Sequence, residues 1–306
     1  VSPGTGARTS AGATPLLDAA CLRQLERLSI AHLGALLEGT TGPRRTVSGG
    51  LGLEFADYRP YAPGDDLRRV DWNIYARLGE PFVKTAQSEA RVALTLLIDA
   101  SRSMGEGSPS KFRHAETLAA MLAAVAVLHG DSAEVHLLED GGASTTGVFA
   151  TPQHLFELIV RLEAAQLHGR TDLAGSVRAH RRLAGGADVA VLLSDALVEP
   201  EALRLALGEL AASAPSATLV HITGADDPLG AAHGPLRLRD SETGETLLVN
   251  VDRSLVASFR ARAERLASEV RELAAGAGVG YVRASTATAP LELLLAAARR
   301  GELLAA

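Results

Sequence analysis

The sequence predicts a doubly wound α/β fold: a mostly parallel sheet of about six strands with helices on both faces, preceded by an N-terminal helix and an extended arm. Residues 92–98, broken only by Thr95, and 189–193 are apolar runs, the pattern of strands covered on both faces in a parallel sheet. From residue 92 onward, strand-like and helix-like segments alternate to the end of the chain, as strand–helix–strand units do. Both apolar runs also end in carboxylate-bearing loops, Asp99-Ala100-Ser101-Arg102-Ser103 and Ser194-Asp195. In open α/β sheets, ligands bind beyond the carboxyl ends of strands.

Taken in order, residues 1–15 lack the basic start and apolar stretch of a secretory signal and have the Pro/Gly/Ser/Thr makeup of a disordered tail. Over residues 16–37, Cys21, Leu25, Leu28, Ala31 or His32, and Leu36 fall at helical spacing. A Gly/Thr/Arg loop follows at 39–52, then short extended pieces over 53–90 broken by Pro60, Pro63-Gly64 and Pro81. Residues 16–90 are thus read as a helix and arm packed on a main domain of residues 91–306.

In that domain, strand 92–98 leads to a helix at 111–129 whose Phe112, Ala115, Leu118, Ala119, Leu122 and Ala126 share a face. Strands at 133–139 and 144–149 flank Asp140-Gly141-Gly142, a hairpin signal. Helices follow at 152–165 and 172–183, the second with Asp172 placed to cap it. Strand 189–193, helix 199–212 and strand 218–223 come next. Residues 236–249 read as an inserted hairpin, within an insertion near 235–250, turning at 241–244. A helix at 253–274 carries Val256, Phe259, Ala263, Leu266, Val270 and Leu273 in register for docking on the sheet, with Gly276 suited to its stop. Strand 280–284 and a terminal helix close the chain.

With strand order 3-2-1-4-5-6, the first and fourth strands are neighbours where the winding reverses, so Asp99 and Asp195 face one crevice. The loop 169–173, which holds Thr171, feeds a helix from the same edge. Two carboxylates with the hydroxyls of Ser101, Ser103 and Thr171 make an all-oxygen, hard-donor set without His or Cys. Such a set suits Mg²⁺, or Mn²⁺, rather than zinc or copper. In a near-extended loop, side chains two residues apart project to one side, so Asp-x-Ser-x-Ser can meet one ion. The same residues also suit a plainer role, a strand-end aspartate with serines capping the next helix.

Asp99, Ser101, Ser103, Thr171 and Asp195 together resemble the metal-ion-dependent adhesion site of von Willebrand factor A domains. That resemblance implies that Ser101 and Ser103 bind the ion directly, Thr171 directly or through water, and Asp99 and Asp195 largely through waters and hydrogen bonds. It also implies an open coordination position that an Asp or Glu of a partner protein fills. A second signature precedes the first buried strand: Glu54-Phe55, Arg59, Tyr61, Pro63-Gly64-Asp65-Asp66, Arg68, Asp71-Trp72, Ala76-Arg77, Val83-Lys84 and Glu89. With the metal motif it spans roughly residues 45–200, and it resembles a bacterial von Willebrand-like family, domain-of-unknown-function family fifty-eight, often paired with MoxR-type AAA+ ATPases. The resemblance implies a cytoplasmic, non-enzymatic partner of such an ATPase. Longer relatives carry membrane helices and an added β-domain, and membrane anchoring is not carried over.

Within the arm, Asp57, Arg59, Asp65, Asp66, Arg68, Arg69, Asp71 and Arg77 set opposite charges close together. They read either as a recognition surface beside the metal or as ion pairs pinning the arm, with Trp72 filling a pocket.

Composition narrows the remaining classes. Net charge is −6 over 306 residues, which argues against a nucleic-acid footprint. No apolar stretch reaches the roughly 18 residues of a membrane span. Cys21 is the only cysteine, so neither an internal disulfide nor a cysteine-rich zinc site is available, in keeping with a cytoplasmic setting. There is no Walker-type loop, no His-Glu-x-x-His and no nucleophile elbow. Two alternatives to a protein-binding module stay open. One is a metal-assisted hydrolase of phosphate or acyl groups, for which the sequence supplies no obvious base beyond the two aspartates; the other is an ion that only stiffens the loops. Ser101 as a nucleophile with His114 or His129 as base is set aside, since those histidines lie on the helix after the loop.

Overall fold

The computed structural model describes residues 16–30, 55–61, 70, 72–86, 91–167, 169, 172–183, 186–224, 234–239 and 246–305. The expected tail 1–15, the loop 39–52 and the hairpin turn 241–244 lie outside the described residues. The chain divides into two compact units, Ala35–Arg91 and the remainder, Val1–Gly34 with Val92–Ala306.

Asp18 caps helix α1 (Ala19–Leu25), its carboxylate accepting the Cys21 N–H at 2.6 Å. Helical spacing in the sequence runs on to residue 36, but the helix itself stops at Leu25. Ser29–Ile30 forms the short strand β1, paired antiparallel with the far end of the chain. Leu28 and Ile30 are buried with Ser29 less so between them, so a period of two replaces the helical period. Residues 31–37 lie outside the described part.

In the smaller unit, β2 (Phe55–Pro60) pairs antiparallel with β3 (Phe82–Ala86), with an irregularity between Phe55 and Asp57. The Tyr61 N–H donates to the Pro81 carbonyl at 2.8 Å, and Val70 bridges Val83. Between them runs helix α2 (Trp72–Leu78). Trp72 does not fill a pocket, as the sequence suggested: it is 60% exposed. One helical turn brings Tyr75 against it edge-on, ring centroids 6.0 Å apart. Asp65, Asp66, Arg68, Arg69 and Asp71 lie outside the described residues.

The larger unit contains the sheet. Its strands are β4 (Ala93–Asp99), β5 (Ser132–Glu139), β6 (Gly142–Phe149), β7 (Val189–Ser194) and β8 (Ser216–Thr223), with β11 (Gly280–Ser285) after the hairpin of β9 (Gly234–Arg239) and β10 (Thr246–Val251). The order is β11-β8-β7-β4-β5-β6, parallel throughout except for β6. Counted along the chain this is 3-2-1-4-5-6, the order expected, with the winding reversing between β4 and β7.

Side-chain alternation explains why both faces are covered. Leu94, Leu96 and Ile98 of β4 enter one core, and Leu97 enters the other. The first core is built by α1, α3 (Lys111–Leu128), α4 (His154–Glu163) and α8 (Pro290–Arg300), and the second by α5 (Leu173–Leu183), α6 (Pro200–Ala211) and α7 (Arg253–Gly276). Each fully buried Leu or Ile contributes roughly 1.5–3 kcal/mol relative to exposure. The strand β12 (Leu304–Ala305) then returns to β1.

Three sequence expectations are corrected. Helix α3 is buried nearly all round rather than along one face, because α1, α4 and α8 all pack on it and its alanines let them approach. Helix α7 docks only through its second half, by Ala267, Val270 and Ala274, while Phe259 is exposed. That helix is stopped by Gly278, in the left-handed conformation at φ 71°, and not by Gly276, which is still helical. No helix among the described residues is long and apolar enough to cross a membrane.

Candidate metal centre

Strands β4 and β7 run side by side, Ile98 opposite Leu193, so the residues that follow meet at one rim. Asp99 lies buried there. Its Oδ1 accepts the Ser101 N–H at 3.0 Å, and its Oδ2 accepts the Ser194 hydroxyl at 2.6 Å. Ser194 Oγ in turn accepts the Ala196 N–H at 3.0 Å. That bond aims the hydroxyl proton at Asp99, and it goes with a left-handed Ala196 at φ 52°, a conformation a non-glycine residue adopts at some cost.

Ser101 precedes a short 3-10 turn, Arg102–Gly105. The turn carries Ser103 back beside it, and the two hydroxyl oxygens are 3.1 Å apart, both residues buried. Asp195, 3% exposed, receives the Lys111 ammonium at 2.5 Å on Oδ2 and the Leu197 N–H at 3.2 Å on Oδ1. Behind it, His221 of β8 lies with Nε2 3.1 Å from the Asp195 carbonyl and Nδ1 2.9 Å from the Tyr281 hydroxyl. Burial holds the His221 ring neutral, with its pKa down to about 4. The neutral tautomer that suits both contacts donates from Nε2 and accepts at Nδ1. Burial, and then the charge of Asp195, push the Asp99 carboxyl up to about 6, against the opposing donors Ser194 and Ser101.

Of the five residues singled out in the sequence, Asp99, Ser101, Ser103 and Asp195 therefore gather at one rim. Thr171 lies outside the described residues. A Cβ added to Gly169 would stand 3.2 Å from Asp140 Cβ, and Asp172 Oδ2 would stand 2.9 Å from a Cβ on Gly141. The β5–β6 turn, Asp140–Gly141, comes just after Leu138, which pairs with Asp99. Asp172 also caps α5 as expected, accepting the Gly175 N–H at 3.0 Å. Leu167 comes so close to the serine turn that a Cβ on Gly105 would fall 2.7 Å from its Cδ1.

Three residues at this rim were not picked out from the sequence. Ser194 was noted only as part of the Ser194-Asp195 ending, and His221 sits within a strand, where nothing in a pattern marks it. Lys111 left a faint sign: it is one of only two lysines among 30 basic residues.

Residues 57–271 match the family model described as "Protein of unknown function DUF58". The chain belongs to that family. Two uncharacterized proteins, Rv1480 of Mycobacterium tuberculosis and Mb1516 of Mycobacterium bovis, are each 28% identical over 293 residues, covering 93% of this chain and 91% of the relative. Among solved structures, a von Willebrand factor type A protein from Catenulispora acidiphila is similar at 17% identity and TM-score 0.41, over 72% of this chain and 43% of that one. The hypothetical protein BatB from Bacteroides thetaiotaomicron is similar at 12% identity and TM-score 0.42, over 69% of this chain and 98% of that one. The matched DUF58 span includes Asp99, Ser101, Ser103, Lys111, Thr171, Asp195 and His221, and ends before Tyr281.

The donor chemistry of this DUF58 chain fits a hard divalent cation. Among the described residues, no group of three or more His, Cys, Asp or Glu side chains gathers that could hold a metal. What the rim offers is a pair of hydroxyls and a pair of carboxylates, all oxygen.

Proposed function

We propose that the chain is a divalent-cation-dependent protein-binding module. Ser101 and Ser103 would hold Mg²⁺, or Mn²⁺, with Asp99 and Asp195 acting largely through waters and Thr171 completing the set. The observation that carries this reading is the convergence of Asp99, the Ser101–Ser103 hydroxyl pair and Asp195 beyond the ends of two adjacent strands. Bound there, the cation supplies a positive centre with few direct carboxylates, to which an Asp or Glu of a partner protein can bind. Ligands of open α/β sheets bind beyond the carboxyl ends of strands, which supports reading this rim as the partner site. By family resemblance, the partner is a MoxR-type AAA+ ATPase and the setting cytoplasmic.

The hydrolase alternative needs a base within reach of a metal-bound water. His221, the histidine in contact with this rim, has both ring nitrogens engaged in positioning, and His114 and His129 lie on or just after the helix that follows. Protein binding is therefore the reading supported here.

The test is a pull-down with the full chain as bait and a MoxR-type ATPase as prey, with Mg²⁺ and with EDTA. Capture is expected with Mg²⁺, and is expected to be lost with EDTA and in Asp99→Ala, whose circular dichroism should remain that of the folded chain. Capture equally strong in EDTA and in Asp99→Ala contradicts the proposal.

A further inference from the structure

The rim already holds a cation of its own. Lys111 is buried, with its ammonium 2.5 Å from Asp195 Oδ2. The other carboxylate oxygen of Asp195 is occupied by the Leu197 N–H. A divalent ion that reaches Asp195, directly or through a water, meets a carboxylate whose charge is already paired with Lys111. We propose that Lys111 is a built-in competitor at this centre: its ammonium and a divalent cation hold Asp195 in alternation, and ion binding expels the lysine. This deepens, and rests on, the reading of the rim as a cation centre.

Three observations support the alternation. First, Lys111 is the opening residue of α3, where the helix dipole disfavours positive charge. The helix does not hold the ammonium at this place; Asp195 does. Second, the lysine stem is flexible and its charge compact, so the head group can withdraw. The segment just before it, Glu106 to Pro109, is exposed and offers a way out to water. Third, the chain uses arginine almost everywhere else, 28 times against two lysines. A planar, rigid guanidinium would not leave a tight pair as readily.

The exchange has a functional consequence. With Lys111 in place, one positive charge balances Asp195 and the centre stays closed. Ion entry has to overcome that pair, so affinity for the ion alone is low. A partner carboxylate that adds its own contact to the ion shifts the exchange toward the open form.

The experiment has two arms. In the first, Mn²⁺ binding is measured on the full-length wild type, Lys111→Met, Lys111→Gln and Asp99→Ala, with folding checked by circular dichroism. Both neutral variants are expected to bind at least about tenfold more tightly than wild type, and Asp99→Ala to lose binding. Glutamine can still donate a hydrogen bond to Asp195, which protects against a variant that fails to fold. Binding by wild type that is unchanged or weaker in the lysine variants overturns the competitor role and leaves the cation centre standing. Absence of binding in every protein overturns both. Binding only in the lysine variants supports both, with Lys111 dominant.

The second arm uses the wild type alone. With only Lys84 and Lys111 in the chain, side-chain ¹⁵N-lysine NMR resolves them directly. Mg²⁺ at saturation is expected to move the Lys111 ammonium signal to a solvent-like position while leaving Lys84 in place. A Lys111 signal that stays put while the ion binds contradicts the exchange.

Discussion

The sheet carries a pair of aspartates at each rim, and the two pairs are used in opposite ways. At the rim where the parallel strands begin, Asp131 accepts the Val92 N–H and Asp188 accepts the Ala93 N–H, both at 2.8 Å. These carboxylates terminate the ladder by satisfying backbone donors that would otherwise lack partners. At the rim where the strands end, Asp99 and Asp195 are brought close enough for one charge to raise the pKa of the other. There a hydroxyl pair and a lysine share the space. Residue type does not distinguish the two pairs, and burial does so only in part: Asp99, Asp195 and Asp131 are buried and Asp188 is half-buried. What separates them is their partners: Asp131 and Asp188 accept backbone N–H groups where the strands begin, whereas Asp99 and Asp195 also hold a side-chain hydroxyl and the Lys111 ammonium.

Substitutions should separate the rims most sharply through stability in the absence of divalent ions. Asp195→Ala leaves the buried Lys111 ammonium without its carboxylate partner and is expected to cost about 3–5 kcal/mol. Urea unfolding in EDTA checks this. A loss under about 1 kcal/mol would mean that the lysine is already free to reach water. At the opposite rim, Asp131→Ala leaves the buried Val92 N–H without that acceptor and is expected to cost about 1–3 kcal/mol, with ion binding unaffected.

A third buried polar group belongs to neither rim and sharpens the contrast by pH. His136 of β5 and His180 of α5 meet with ring centroids 4.3 Å apart. Burial lowers both to about 4, and for His180 the neighbouring His136 adds to the effect. Their folded pKa lies below the unfolded value of about 6.5. The unfolded chain therefore takes up protons first, and the stability these neutral rings contribute is present above pH 6.5 and lost as pH falls toward 4. Each group adds up to about 1.4 kcal/mol per pH unit to the slope. Replacing His136 by Gln is expected to flatten unfolding free energy against pH over that window. An unchanged slope would show that His136 is already protonated in the folded chain.

The parallel sheet was legible because β4, but for Thr95, and β7 are apolar runs of the kind that strands covered on both faces carry, and the common order of doubly wound sheets then supplied the strand order. The Asp-x-Ser-x-Ser and Ser-Asp endings then placed four donors on one rim without further information. What escaped the sequence depended on tertiary contacts. Lys111 at a helix start reads like any solvated charge until Asp195 is seen beside it. Ser194 and His221 are polar residues in strands, and only their partners reveal that they orient the two aspartates. The single apolar face assigned to the 111–129 helix failed because an alanine-rich helix can be buried on every side. The pocket expected for Trp72 failed because an i, i+3 aromatic contact suffices to seat an exposed ring on a short helix.

The most direct measurement is a Mg²⁺ or Mn²⁺ titration of three proteins by calorimetry: wild type, Asp99→Ala and Asp131→Ala. Wild type and Asp131→Ala are expected to bind one ion with similar affinity, the second from a less stable fold, while Asp99→Ala loses at least about a hundredfold. Equal binding by Asp99→Ala and wild type, or a loss shared by both variants, would contradict the assignment of the cation to the rim where β4 and β7 end.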